Sequence, residues 1–273
     1  MNWVIKNNTD KQSVKKLSDE LNISPILSSM LVKREIKNFD QAKFFFRPNY
    51  EMLHDPFLMK DMNLAVDRIQ KAIRDKESIM IFGDYDVDGT SSVALLSLYL
   101  GSIGLNVTTY LPDRKSEGYG ISIKAIDNAF ENKQKLIIAL DCGIKAHKQV
   151  NYAKEKGIEF IICDHHNPDE NIPQALAVLN PKRKDCVYPY KELCGCGVGF
   201  KFVQAIESKQ IVDNKIINYL DLVALAIAAD VVPLTGENRV LAFIGLQIIN
   251  SNPKLGIHSL LKKILKKNIL LAI

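Results

Sequence analysis

The sequence is poor in cysteine, in tryptophan and in long apolar segments, and each shortage excludes a class of protein. Five cysteines and one tryptophan occur in 273 residues. A small, odd number of cysteines argues against a disulfide framework and predicts reduced thiols in the cytoplasm. No apolar run follows the first lysine, so we expect no signal peptide. With 47% hydrophobic and 25% charged residues, the composition also excludes disordered and collagen-like chains.

One uncharged segment is long enough to raise the question of a membrane span. Residues 91–112 contain no charged side chain, and this length could cross a bilayer. Gly101, Gly104 and Asn106 interrupt the segment, and its end (NVTTYL) has the composition of a strand. We therefore predict a buried helix followed by a buried strand, and no membrane segment.

The net charge of +5 is unevenly distributed along the chain. Residues 1–50 carry nine basic and five acidic side chains, and residues 251–273 carry five lysines and no acidic residue. The central part, residues 51–250, is therefore acidic overall. A general positive surface for nucleic acid is not expected there.

The chain alternates between strand-like and helix-like segments after a helical N-terminal region. We predict a helical leader or clasp over residues 1–62, a main domain over 63–250, and the start of a helical connection over 251–273. Four short apolar segments rich in β-branched residues are predicted strands: 78–83, 106–111, 135–140 and 158–163. Helical segments separate them, which predicts βαβ units. The expected fold class is α/β, with a doubly wound, mostly parallel sheet flanked by helices and a helical C-terminal part.

Polar side chains follow three of the predicted strands, at the point where each strand ends. They are Asp84, Asp86 and Asp88 after the first strand, Asp141 after the third, and Asp164, His165 and His166 after the fourth. The carboxyl ends of parallel strands lie at one edge of a sheet, where open α/β proteins place their sites. One such aspartate is usually a turn or helix cap. Seven groups at one edge would repel one another unless cations neutralised them.

The ligand types indicate which metal these groups would bind. Carboxylate oxygens with one or two imidazoles favour Mn²⁺ or Mg²⁺ over zinc, which prefers thiolates. Several carboxylates can hold two ions, with one aspartate bridging. Such a pair can activate water and stabilise both oxygens of an in-line phosphoryl displacement. The residues alone therefore indicate metal-dependent phosphoester hydrolysis.

Two other motifs begin at the same aspartates. An EF-hand loop opening at Asp84 needs a glutamate at its twelfth position, and Leu95 stands there instead. The segment DVDGT (86–90) after an apolar strand resembles haloacid-dehalogenase phosphatases, in which Asp86 would be a covalent nucleophile. That interpretation gives the DHH segment (164–166) no role, and it stays as an alternative.

The ordered segments GDYDVDG (83–89), ALDCG (139–143) and CDHH (163–166) resemble the DHH phosphoesterase superfamily. Within it, three further segments are similar to the RecJ single-stranded-DNA exonucleases: 111–122, 179–202 and 226–239. The resemblance covers essentially the whole chain. It implies a hydrolase that digests single-stranded DNA in the 5′-to-3′ direction in DNA repair and recombination.

The resemblance also implies roles for individual residues. The implied metal ligands, for two Mn²⁺ or Mg²⁺ ions, are Asp84, Asp86, Asp88, Asp141, His165 and Asp230. Asp141, as the bridge between the ions, His165 and His166 are the implied catalytic residues, and Asp164 would orient the histidines or nearby backbone. From the residues alone, Asp230 would be assigned as the end of an apolar helix, and its ligand role is implied only by the resemblance.

Further expectations concern residues that would contact the substrate and the cysteine- and glycine-rich segment before the helical C-terminal part. Arg114 follows the second strand, so with Gly118 and Tyr119 it could hold a phosphate, or it could be a solvated arginine in a turn. Cys194 and Cys196 have no second cysteine pair, which favours packed thiols over zinc. The glycines at 195, 197 and 199 precede a helix and predict either phosphate-binding backbone N–H groups or a tight helix entry.

The resemblance implies single-stranded DNA as substrate, with a single-stranded-DNA-binding protein or a helicase as candidate partners. RecJ-like enzymes continue with further domains, so we expect this chain to be the metal-binding part, ending near the interdomain connection. Three alternatives stay open: a DHH-superfamily phosphoesterase for short oligonucleotides or nucleotide phosphates, the haloacid-dehalogenase-like phosphatase, and an inactive metal-binding fragment.

Overall fold

The computed structural model describes residues 10–210 and 215–264, which fall into two compact units. The division lies after Asn49, whereas the sequence placed a boundary after residue 62. The first unit contains helices α1 (Lys11–Leu21), α2 (Pro25–Val32) and α3 (Phe39–Phe46). Leu17, Leu31 and Ala42 contribute to its small core. Of the predicted connection, residues 265–273 lie outside the described residues.

Within the described residues, the second unit contains a five-stranded sheet, eight α-helices and three short 3-10 helices (Tyr50–Met52, Pro56–Leu58 and Ile216–Tyr219). The strands are β1 (Ser78–Gly83), β2 (Asn106–Tyr110), β3 (Leu136–Leu140), β4 (Glu159–Cys163) and β5 (Ala177–Leu179). The helices are α4 (Met62–Arg74), α5 (Val87–Ser102), α6 (Ile123–Glu131), α7 (His147–Glu155), α8 (Gly195–Glu207), α9 (Leu220–Asp230), α10 (Gly236–Ser251) and α11 (Leu255–Ile264).

All neighbouring strands are parallel, in the order β2-β1-β3-β4-β5. This confirms the predicted α/β class. The chain passes from β1 to β2 on one side and then returns to place β3 on the other side of β1. The carboxyl ends of β1 and β3 therefore flank the topological switch point, where open sheets of this type form a crevice.

Alternating side chains bury both faces of the central strands. Ile79 and Ile81 of β1 pack in the larger core with α4, α5, α8 and α9, whereas Met80 and Phe82 pack in the second core with α6 and α7. Successive strand residues point to opposite faces, so an uninterrupted apolar strand is what a sheet covered on both sides requires. Each fully buried side chain of this size contributes about 1.5–3 kcal/mol.

Two strands differ from the sequence prediction. β2 is not a buried strand: it forms the edge of the sheet, and Asn106, Thr108 and Thr109 are exposed at that edge. β5 was not predicted, since its three residues are too few to show a period. No helix among the described residues is both long enough and apolar enough to span a bilayer.

A buried ion pair joins α8 to α10. Lys201 is fully buried, and its Nζ lies 3.3 Å from Glu237 Oε1 and donates to the carbonyl oxygen of His54 at 2.6 Å. Glu237 also accepts hydrogen bonds from the His54 N–H at 2.9 Å and the Tyr188 hydroxyl at 2.6 Å. We call these groups the Lys201–Glu237 cluster. Each of its charges faces an opposite charge and hydrogen-bond partners.

Candidate metal centre

Carboxylates and imidazoles from four segments converge at the switch point. Atoms of Asp88, His165 and Asp230 lie within 4.8 Å of one another, and so do atoms of Asp141, His165 and His166. His165 belongs to both groups. Its Nε2 lies 3.1 Å from Asp141 Oδ1, and 3.7 Å from both Asp88 Oδ2 and Asp230 Oδ2. These five residues are called the metal centre below.

Local backbone structure directs two of these carboxylates into the centre. Asp141 directly follows β3 and has a left-handed backbone, with φ of 60°. Asp230 is the last residue of α9, and the left-handed Val231 (φ 57°) ends the helix there. Asp230 therefore ends its helix and also points into the centre. A left-handed backbone at a residue with a Cβ costs of order 1–3 kcal/mol, and such strain concentrates at functional sites.

Several buried polar atoms of the centre make no hydrogen bond. Asp141 Oδ1 and both ring nitrogens of His165 have no hydrogen-bond partner, and neither has Asp84 Oδ1 nearby. A buried polar atom without a partner costs about 1–3 kcal/mol, so such atoms need an explanation. Asp141 Oδ1 and His165 Nε2 lie together without a hydrogen bond between them, which fits coordination to a cation.

The electrostatics of the centre lead to the same interpretation. Burial raises the pKa of Asp141, and the nearby carboxylates of Asp88 and Asp86 raise it further. Burial also raises the pKa of Asp88, against hydrogen bonds from two backbone N–H groups that act in the opposite direction. Burial lowers the pKa of His165, which favours the neutral imidazole that binds metals. This donor set fits one or more divalent cations.

Asp164 accepts hydrogen bonds from both histidines and has few lone pairs left for a metal. Its Oδ1 accepts from the N–H groups of His165 (2.7 Å) and His166 (3.0 Å), and its Oδ2 accepts from the Ile144 N–H at 2.8 Å. His166 Nδ1 also lies 2.7 Å from Asp164 Oδ1. Burial alone would raise the pKa of Asp164, but the hydrogen bonds with His166 outweigh it, and the pKa is lowered. The orienting role of Asp164 stays a prediction, with which these contacts are compatible.

Asp84 and Asp86 lie beside the metal centre but outside its two ligand groups. The exposed Asp86 is the N-cap of α5, where its Oδ1 accepts from the Gly89 N–H at 2.8 Å. Asp84 is buried, and burial raises its pKa. Its unpartnered Oδ1 is compatible with a ligand role. The assignment of both residues as ligands stays a prediction.

The predicted substrate residues line the rim of the metal centre. Tyr119 is 61% exposed, and its hydroxyl lies 3.4 Å from His166 Nε2. Its ring meets Tyr85 edge to face at 6.3 Å, and the exposed Arg114 lies over the Tyr85 ring at 5.2 Å. Gly118 has a φ of 79°, a left-handed conformation that glycine adopts without steric cost. The backbone conformation is therefore enough to explain a glycine at this position. Sequence reasoning missed Tyr85, although its place between Asp84 and Asp86 was a signal.

The Cys194–Cys196 segment has a packing role. All five cysteines are free and buried, and neither candidate ligand group in the described part of the chain contains one. The N–H groups of Gly195 and Cys196 donate to the Asp88 carboxylate at 2.6 and 2.7 Å. Of the two expectations for this segment, the tight helix entry is the one observed, because a protein carboxylate occupies the position expected for a phosphate.

Comparison with known proteins identifies the family. Residues 78–227 match the model of the DHH family, N-terminal domain. The chain therefore belongs to the DHH family.

Within that family the chain is similar to RecJ proteins. It is 40% identical to the single-stranded-DNA-specific exonuclease RecJ of Bacillus subtilis over 96% of this chain. A solved exonuclease RecJ bound to manganese superposes with a TM-score of 0.70 at 31% identity, covering 78% of this chain and 53% of that one. The RecJ of Thermus thermophilus in complex with Mn²⁺ gives a TM-score of 0.77 at 26% identity, covering 92% and 35%. The match spans 33% of the length of the Bacillus subtilis protein.

Proposed function

We propose that this chain carries the catalytic metal centre of a RecJ-type exonuclease, which hydrolyses phosphodiester bonds of single-stranded DNA. The observation that carries the proposal is the convergence of Asp88, Asp141 and Asp230 on His165 Nε2, with buried atoms that have no partner. The names of the relatives support the substrate class. The 5′-to-3′ polarity and the role in repair and recombination rest on the resemblance.

The donor set supports a site for two ions. The two ligand groups share His165, but an imidazole Nε2 has one lone pair and can bind one ion. A carboxylate has lone pairs for both, so Asp141, 3.1 Å from that nitrogen, is the residue best suited to bridge. The oxygen-rich ligands favour Mn²⁺ or Mg²⁺. When bound, such ions activate water and stabilise the negative charge that develops on the attacking and leaving oxygens during phosphodiester hydrolysis.

The surrounding residues have supporting tasks. Asp164 fixes the ring of His166 through Nδ1 and leaves Nε2 toward the rim. Arg114 and Tyr119, exposed at that rim, are suited to hold an incoming phosphate and a base or sugar. Asp86 is engaged as a helix cap, and the chain belongs to the DHH family, so the haloacid-dehalogenase alternative has no remaining support.

A nuclease assay tests the proposal. We expect release of mononucleotides from a long, 5′-labelled single strand in Mn²⁺, and none after chelation with EDTA. Asp141→Ala should lower the rate at least ~10²-fold, the order of effect seen when one stabilising group of an active site is removed. Asp67→Ala on the exposed side of α4 is the matched control and should leave the rate unchanged.

Two outcomes would contradict this assignment. Release that survives both EDTA and Asp141→Ala would show that the metal centre is not responsible. Faster turnover of dinucleotides than of the long strand would instead favour a phosphoesterase for short oligonucleotides.

A further inference from the structure

The start of helix α8 holds one carboxylate of the metal centre by two hydrogen bonds. The first N–H groups of a helix have no partner within the helix. Here the N–H groups of Gly195 and Cys196 donate to the two oxygens of Asp88, at 2.6 and 2.7 Å. Asp88 lies in the first turn of α5, so this contact connects two helices that begin at the metal centre. Both oxygens of Asp88 are thereby fixed in direction.

The same turn of α8 lies directly against a second carboxylate. A Cβ atom placed on Gly195 would come 2.5 Å from Asp141 Oδ1 and 2.6 Å from Asp141 Cβ. Real Cβ atoms do not approach other atoms so closely, so one of the two residues would have to shift. The Asp141 side chain is 3% exposed, and its Oδ1 already lies 3.1 Å from His165 Nε2. It has little room to move away.

Two other helical glycines, Gly199 and Gly101, do not have this constraint. Gly199 lies one turn further along α8, and a Cβ there would meet Leu140 Cδ2 at 3.5 Å, an ordinary contact. Gly101, near the end of α5, would meet nothing within 4 Å. The absence of a side chain is therefore required at Gly195 because of a neighbour in the metal centre, and not by the helix itself.

We propose that Gly195 is a positioning residue that sets the spacing between Asp88 and Asp141, so that both carboxylates point into the metal centre. Its N–H group holds Asp88, and its missing side chain makes room for Asp141 beside His165. A methyl group at position 195 either rotates the Asp141 carboxylate out of the centre or pushes back the start of α8 and breaks the bonds to Asp88. The inference rests on the proposed metal-binding function of this site.

Manganese affinity of the isolated chain tests the proposal without DNA. Free Mn²⁺ is measured by electron paramagnetic resonance during titration of the unaltered chain, Gly195→Ala and Gly199→Ala. We expect Gly195→Ala to bind Mn²⁺ about 10–100-fold more weakly, the loss typical when a group that orients a metal ligand is changed. Gly199→Ala should bind like the unaltered chain.

A parallel stability measurement separates positioning from a structural role. Thermal unfolding in EDTA reports the cost of the added methyl group without metal. Equal Mn²⁺ affinity for Gly195→Ala and the unaltered chain, whatever the stability in EDTA, would overturn the proposal. Failure of the unaltered chain to bind Mn²⁺ would overturn both this proposal and the metal centre. If the unaltered chain binds Mn²⁺ but does not cleave DNA, the proposed function is contradicted. The comparison of Mn²⁺ affinity between the unaltered chain and Gly195→Ala still tests the role of Gly195.

A second measurement covers the case in which Gly195→Ala does not fold. In the unaltered ¹⁵N-labelled chain, the amide resonances of Gly195 and Cys196 should shift on titration with diamagnetic Mg²⁺, because Asp88 accepts from both and also binds the ion. The amide of Gly101 should not shift. Mg²⁺ binding that leaves the Gly195 and Cys196 resonances unmoved would contradict the proposed coupling.

Discussion

The metal centre and the Lys201–Glu237 cluster both contain buried charges, and they are built in opposite ways. In the cluster, the ammonium group of Lys201 faces the Glu237 carboxylate, which also accepts from Tyr188 and His54. In the metal centre, three carboxylates surround an imidazole whose two nitrogens make no hydrogen bond. A buried charge must be compensated. The cluster supplies its own compensation, whereas the centre needs a cation from outside.

This difference separates a structural role from a functional one. Breaking the cluster should cost stability and leave metal binding unchanged. Changing the centre should abolish metal binding and cost little stability, or even increase it when no metal is present.

Removing the charge of Lys201 should have the largest effect on stability. Lys201→Met leaves Glu237 buried without its counter-charge, and breaking a buried pair in this way costs about 3–5 kcal/mol. Denaturant unfolding at neutral pH measures the loss. The double variant Lys201→Met/Glu237→Gln should recover much of it, because no unpaired charge is left. Lys154→Met, on the exposed side of α7, should stay within about 0.5 kcal/mol.

Adding Mn²⁺ should stabilise the chain by compensating the carboxylates of the metal centre. Mn²⁺ at a hundred times its dissociation constant should raise the free energy of unfolding by about 2.7 kcal/mol. Lys201→Met should show the same increment, since its metal centre is intact. Asp141→Ala should show a much smaller one. Thermal unfolding with and without Mn²⁺ measures this increment. If Mn²⁺ stabilises Asp141→Ala as much as the unaltered chain, the ions bind outside the metal centre.

Changing Asp164 should weaken the metal centre without removing a ligand. Asp164→Asn keeps the size of the side chain, but its NH₂ group cannot accept the backbone hydrogen bonds that Asp164 accepts now. We expect Mn²⁺ affinity to fall about 10–100-fold, as for other residues that orient metal ligands. Asp169→Asn, which removes an exposed ion pair with Lys145, is the control. Unchanged Mn²⁺ affinity in Asp164→Asn would mean that Asp164 is not needed to orient the histidines.

Neutralising Asp141 should make the metal-free chain slightly more stable. The folded pKa of Asp141 is raised, so the folded state binds more protons than the unfolded state, and stability falls as pH rises above the unfolded value of about 3.9. Asp141→Asn removes that loss. In EDTA at neutral pH we expect an unfolding temperature roughly 2–4 °C higher, equivalent to about 1 kcal/mol. The gain should disappear near pH 4, and a lower unfolding temperature at neutral pH would contradict the repulsion in the centre.

Much of the sheet and of the centre could be predicted from local sequence. Apolar strands alternating with helices predicted the parallel sheet, and the polar residues after β1, β3 and β4 marked its functional edge. Asp230 could not be assigned from the residues alone, because an aspartate at the end of an apolar helix looks like an ordinary terminus. It needed the resemblance to related sequences.

The remaining features depend on contacts between distant parts of the chain. The exposure of β2 follows from its edge position, which no pattern within NVTTYL reveals. The hydrogen bonds from Gly195 and Cys196 to Asp88 join residues more than a hundred positions apart, and so did not appear as a local motif. Lys201 sits in an apolar helix, and its partner Glu237, 36 positions further along the chain, could not be identified before the fold was known.

The most direct test of the central claim is a crystal structure of the chain grown with Mn²⁺, with diffraction data collected at the manganese absorption edge. The account predicts two anomalous peaks at the switch point, one within bonding distance of Asp88, Asp230 and His165 and both within bonding distance of Asp141. No anomalous peak at this edge of the sheet, with Mn²⁺ at saturating concentration, would contradict it.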